Sequence, residues 1–169
     1  MDVTRQWPGS YDRISGMNQA PKTLAILPCY NERENIVRLI DRIMGMHDFI
    51  DVLVVDDNSP DGTQVVVREA QSRYDGRLHL LVRTQGKDGR GSAVLAGFNY
   101  ALEQGYEAIF ELDSDNSHNP EDMPAFLAKL QEADVVIGSR YCKGGGIEGW
   151  DWKRTIISRI ANLIEHTLL

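Results

Sequence analysis

Five short apolar runs alternate along this chain with longer stretches of helical spacing, and that alternation is what most limits its possible folds. The runs are Leu24 to Leu27, Val52 to Val55, Leu78 to Val82, Ala108 to Phe110 and Val135 to Gly138. Each is short and most are bounded by turn residues, which is the pattern of buried strands. After the first, Ile36, Leu39, Ile40, Ile43 and Met44 recur with the period of a helix. Helices are expected likewise over 63–74, 92–104 and 120–131. Strands alternating with helices of this length build βαβ units, giving an α/β fold with a mostly parallel sheet and helices on both faces.

In such sheets ligands bind outside the carboxyl ends of the strands. The chemically loaded residues of this chain follow its strands: Pro28-Cys29-Tyr30-Asn31-Glu32, Asp56-Asp57-Asn58, Arg83 to Gly91, Asp113 to His118, and Ser139-Arg140. The fourth of these loops carries the sharpest signal. Asp113 and Asp115 stand two apart behind the run ending at Phe110. Side chains two apart on a strand share a face, so both carboxylates are expected to converge at its end. Two close carboxylates repel unless a cation lies between them. A hard divalent ion, Mg²⁺ or Mn²⁺, held in turn to a phosphate, answers that need. The bland reading of the same pair is a solvated turn.

Several familiar motifs are excluded. The first loop has no glycine, so it is not a dinucleotide-binding turn. Asp57, Ser59, Asp61 and Gly62 mimic the start of a calcium loop, but its twelfth position is Arg68 instead of Glu. Asn58 to Gly62 therefore read as a turn. Asp57, at a strand end, is a candidate acceptor for a base edge. Tyr30 either stacks on a nucleobase or packs as a partly buried ring. Lys87 and Arg90, set among glycines at a helix start, suit an anion, although the spacing is not a P-loop. Arg140, Lys143 and Arg154 flank a glycine triplet, and Arg140 offers a planar fork for phosphate oxygens. His118 beside the Asp pair fits a structural as well as a functional role.

The chain has 169 residues, room for one core, and a net charge of −7, which argues against a general nucleic-acid binder. Cys29 and Cys142 are too few for a disulfide framework, so a reducing, cytoplasmic setting is expected. No apolar run approaches the roughly 18 residues of a membrane span. Residues 1–20 lack periodicity and are read as a flexible arm ahead of one domain over 21–169.

Together, LPCYNERENI, VVDDNSPDGT, GKDGRGSAVLAGF, LDSDNSHNPEDMP and VVIGSRYCKGGGIEGWDWKRTIISRIAN resemble the inverting glycosyltransferases of family 2. Within it the resemblance is to the polyprenol- (dolichol-) phosphate mannosyltransferases. It implies a GT-A fold, Rossmann-like in its sheet, and transfer of mannose from GDP-mannose to a polyprenyl phosphate at the cytosolic face of a membrane. By position, it implies that Pro28, Tyr30, Glu32, Asp57 and Lys87 hold the nucleotide. Asp113 and Asp115 would bind diphosphate through Mg²⁺ or Mn²⁺ with Ser117 near the metal, and Arg140, Arg154 and Ser158 would meet donor or acceptor phosphates. Asp113, Asp115 and Arg140 are then the catalytic set. The family continues beyond this helix, so the domain is expected to be incomplete at Leu169. Ile156, Ile160, Leu163 and Ile164 give that last helix an apolar face suited to core packing, dimerisation or lipid.

The alternatives are a nucleotide-sugar-binding module without turnover, a family 2 transferase using another donor, and a phosphatase with Asp113 as nucleophile. Against the last, the pair follows the fourth strand and not the first.

Overall fold

The computed structural model describes residues 21–84, 89–139 and 158. They fall into two compact units divided after Asp134. The first holds the regular architecture, in the order β1 (Thr23–Cys29), α1 (Ile36–Met46), β2 (Ile50–Asp56), α2 (Thr63–Gln71), β3 (Leu78–Val82), α3 (Arg90–Glu103), β4 (Ala108–Glu111), a 3₁₀ turn (Pro120–Asp122) and α4 (Met123–Lys129). The four strands are parallel and lie side by side in the order β3-β2-β1-β4.

The sheet is covered on both faces, as the alternation requires. One set of alternate residues, Ala25, Leu27, Val52 and Val54, packs against Ile36, Leu39, Ile40 and Ile43 of α1 and Val67 of α2. The other set, Leu24, Ile26, Leu53 and Val55, packs against Ala93 and Ala101 of α3. Most of these aliphatic residues are fully buried, each such Leu, Ile or Val contributing roughly 1.5–3 kcal/mol. The small buried residues of α3 let it lie close to β1. A Cβ on Gly97 would sit 2.5 Å from Ile26 Cγ2, so this position admits no larger residue without a shift.

One expectation shifts by a residue and another changes. β4 ends at Glu111, one past the apolar run, and Asp113 and Asp115 stand in the loop that follows it. The cause is visible in the next residues: Leu112 N–H still reaches Ile26 O at 3.1 Å, after which side chains take over the bonding. The second change is at residues 135–138, expected as a fifth strand, which take no strand conformation. A strand's hydrogen bonds all go to a neighbour, so four apolar residues do not fix one locally. In the second unit only residues 135–139 and Ser158 are described; Val135 and Ile137 are exposed, and Ser158 is helical and partly buried. The expected amino-terminal arm and the apolar face of the last helix lie outside the described residues.

Candidate functional site

The strand order fixes where a ligand can sit. The chain winds outward from β1 through β2 to β3, then crosses back to place β4 on the opposite side of β1. The loops after β1 and β4 therefore stand side by side at the carboxyl edge, where such sheets bind ligands, and both lead to the face covered by α1, whose Arg42 donates to Asn119 Oδ1 at 2.9 Å. The two loops are tied by buried Ser114, whose hydroxyl donates to Pro28 O at 3.0 Å. In a strand a residue's N–H and C=O point the same way, so the N–H that Pro28 lacks would face β4. The paired β1–β4 register stops at Ile26, and the proline costs no ladder bond there.

The wall beside β2 is built by the acidic turn after that strand. Asp56, fully buried at the strand end, accepts from Ser59 N–H at 2.9 Å and from its hydroxyl at 2.5 Å. Asp61 Oδ1 accepts from Thr63 N–H at 2.9 Å and its hydroxyl at 2.6 Å. The same three side chains also capture successive backbone N–H groups of the first loop. Asn31 N–H donates to Ser59 Oγ at 3.0 Å, Glu32 N–H to Thr63 Oγ1 at 3.1 Å, and Arg33 N–H to Asp61 Oδ2 at 3.1 Å. Asn31 takes a left-handed conformation, φ 61°, which asparagine tolerates. The turn assignment for Asn58 to Gly62 thus holds, and the turn also shapes the neighbouring loop. The Thr63 hydroxyl, above all, holds the Asp61 carboxyl below its usual range.

Of the residues expected to hold a nucleotide, Pro28 is next to last in β1 and Tyr30, just past the strand, is 56% exposed. The Glu32 carboxylate accepts from Asn35 Nδ2 at 3.0 Å just ahead of α1. Asp57 is engaged more strongly. Arg83, one residue past β3, grips it bidentately, Nε to Oδ1 at 2.6 Å and a terminal nitrogen to Oδ2 at 2.8 Å, with both side chains largely buried. The fork uses two of a carboxylate's roughly four acceptor sites, leaving others for a base edge. Sequence reasoning placed Arg83 only within a loop; its signal was a cation directly at a strand end opposite two acids. The Cys29 thiol lies beneath this wall, and burial, reinforced by Asp56, pushes its pKa far up, so it is no nucleophile.

Beyond β4 the acid pair keeps the in-and-out alternation of a strand although it has left the sheet. Leu112 and Ser114 are buried, whereas Asp113 is partly exposed and Asp115 exposed. Both acids therefore reach solvent. Asp113 Oδ1 meets Arg90 at 2.5 Å, and the same guanidinium nitrogen meets Glu111. His118 Nδ1 accepts from Asp113 N–H at 3.1 Å, which puts the ring proton on Nε2, 3.8 Å from Asp113 Oδ2. His118 thus braces the loop. Asp115 Oδ1 accepts from Ser117 N–H at 2.9 Å around Asn116, itself left-handed at φ 64°. The Ser117 hydroxyl and then its N–H hold the Asp115 carboxyl below its usual range, so it is ionised at neutral pH. Ser117 is consequently a partner of Asp115.

Among the described residues no three His, Cys, Asp or Glu side chains converge as a ready metal cage. The donor set still suits a hard divalent ion: two solvent-reached carboxylates two positions apart, one of them held charged, whose shell phosphate oxygens would complete. Lys87, Arg140 and Arg154 lie outside the described residues.

Known proteins carry related sequences. Residues 24–168 match the family model described as Glycosyl transferase family 2. The chain is 39% identical over 168 residues to polyprenol monophosphomannose synthase of Mycolicibacterium smegmatis, covering 96% of this chain and 63% of that protein. It is 41% identical over 148 residues to undecaprenyl-phosphate mannosyltransferase of Micrococcus luteus, covering 88% of this chain and 60% of that one. The chain therefore spans 60–63% of the length of these curated relatives. Mannosyltransferase PcManGT from Pyrobaculum calidifontis, solved with GDP-Man and Mn²⁺, shares the fold at a TM-score of 0.59 and 22% identity, over 73% of this chain and 37% of that one. With the sheet order, the acid loop at the switch point and a family model matched over most of its length, this chain belongs to glycosyl transferase family 2.

Proposed function

We propose that this chain is the donor-binding part of a mannosyltransferase that moves mannose from GDP-mannose to a polyprenyl phosphate. The observation that carries the reading is the pair of solvent-reached carboxylates, Asp113 and Asp115, at the switch point beside the loop of exposed Tyr30. The names of the two relatives, a polyprenol monophosphomannose synthase and an undecaprenyl-phosphate mannosyltransferase, support the sugar and the acceptor class. The ligands of the Pyrobaculum structure, GDP-Man and Mn²⁺, are the model for the donor and metal.

In this reading the base lies between Tyr30 and Asp57, and Asp113 and Asp115, with Ser117 beside them, hold Mg²⁺ or Mn²⁺. The metal supplies positive charge to the diphosphate as it leaves. The protein's own part is positional. The clasp between the first two loops fixes Asn31 and Glu32 next to Tyr30, Arg83 orients Asp57, Ser114 ties the acid loop to β1, and His118 braces that loop from within. A phosphate acceptor is already anionic at neutral pH, so no side chain need act as general base to activate it; a sugar hydroxyl would need one. Arg140, Arg154 and Ser158 are the proposed contacts to phosphate. The lipid acceptor in this reading is met at the cytosolic face of a membrane; no helix among the described residues is long and apolar enough to cross one.

The test is a thermal-shift panel of nucleotide sugars with and without Mn²⁺. At a hundredfold excess over Kd a ligand adds about 2.7 kcal/mol, raising Tm by about 5 °C or more for a protein of this size. GDP-mannose with Mn²⁺ should give that rise and UDP-glucose should not. A larger shift with a uridine donor would replace the donor named here, and no shift with any donor would sink the site. Mannose transfer to a polyprenyl phosphate is assayed separately, on a version spanning the full length of the relatives.

A further inference from the structure

The carboxylates of the acid loop already have a cation of their own. Arg90, the first residue of α3, sets one guanidinium nitrogen against both Glu111, at the end of β4, and Asp113, two residues on. Its side chain is 55% exposed, so the contact is open to exchange and not sealed in a core. Without Arg90, Glu111, Asp113 and Asp115 would stand as like charges along five residues of chain. With it, one oxygen of Asp113 is occupied. A guanidinium and a divalent ion seek the same oxygen and cannot both hold it at close range. Glu111 gives Arg90 a place to remain when it leaves Asp113.

We propose that Arg90 is a built-in competitor of the divalent cation for Asp113, a positioning residue that keeps metal affinity low until the donor's diphosphate arrives. This rests on the reading of Asp113 and Asp115 as the metal-holding pair. The diphosphate adds negative charge that draws the metal in, and it gives Arg90 an alternative anion beside Glu111. Metal and donor are thereby coupled: each makes the site better for the other.

The experiment measures Mn²⁺ binding alone, with no nucleotide, by calorimetry or by the loss of the free-ion paramagnetic signal. An exposed ion pair is weak, so Arg90→Gln should tighten Mn²⁺ binding about two- to fivefold, and Arg90→Lys should stay near the unsubstituted protein. Arg42→Gln is the comparison, because Arg42 bonds Asn119 Oδ1 at 2.9 Å at the end of the same loop and no acid among the described residues; it should change affinity less. A merely structural role for Arg90 predicts the opposite sign, weaker binding with a lowered Tm. Unchanged or weaker binding in Arg90→Gln overturns the proposal, as does equal tightening in Arg42→Gln, which would mean a general field effect. Asp115→Ala separates the underlying reading: if it binds Mn²⁺ as well as the unsubstituted protein does, the metal assignment fails and the competition fails with it. Mn²⁺ binding that appears only in Arg90→Gln supports both.

Discussion

The two sides of the site are both acidic, but their acids do opposite work. On the β2 side, Asp56 and Asp61 have their oxygens filled by serine and threonine hydroxyls and by backbone N–H groups of their own turn and the neighbouring loop. On the β4 side, Asp115 makes similar bonds to Ser117 and Asp113 meets Arg90 and His118, but Asp115 and all of these partners are exposed and Asp113 is partly so, leaving oxygens within reach of solvent. An acid whose acceptors are satisfied by the protein holds a shape. One whose acceptors remain open to solvent is available to a ligand. Acidic residues in one sequence class thus divide into builders and binders according to what the fold places against them.

The contrast is broken most forcefully at Asp56. Its replacement by alanine leaves buried Ser59 donors without their acceptor and should cost about 3 kcal/mol in urea unfolding. A loss below about 1 kcal/mol would mean that the clasp is not what holds this wall. Asp61→Ala comes next, at about 1 kcal/mol because the group is partly exposed, and should also weaken GDP-mannose binding through the loosened first loop. Its pH dependence has a definite sign. The folded carboxyl lies below its unfolded value of about 3.9, so its stabilisation is complete above that value and is lost as pH falls through the folded one. The melting temperatures of Asp61→Ala and the unsubstituted protein should converge in that acid window; a difference that stays constant there would refute the assignment. The smallest stability effect is expected at Asp115→Ala, under about 0.5 kcal/mol, with Mn²⁺-dependent donor binding lost nonetheless. A large stability loss there would make Asp115 a builder and erase the distinction.

Much of this could be read before any coordinates. The apolar runs placed β1, β2 and β3 within one or two residues, and the five helical positions of α1 are all buried. β4 was located as well, its end within one residue, because the apolar-to-polar change at Glu111 marks where the ladder gives way to side-chain bonds. The run at 135–138 has a strand's composition without a strand's conformation, since nothing local supplies its partner. Arg83 and Arg90 were seen only as loop cations. Their acids lie 26 and up to 23 positions away, a distance across which sequence spacing carries no geometric information.

What the sequence determined by itself was the order of strands and helices and the gathering of polar loops at one edge, because period, run length and turn chemistry are local properties. Which acid meets which cation was decided only by the tertiary structure. The order β3-β2-β1-β4 sets β3 beside β2, bringing Arg83 to Asp57, and the return of the chain to β4 brings Glu111 and Asp113 to Arg90. Charge pairing falls off within a few ångströms, so it follows the neighbours that packing creates and not the neighbours in the chain.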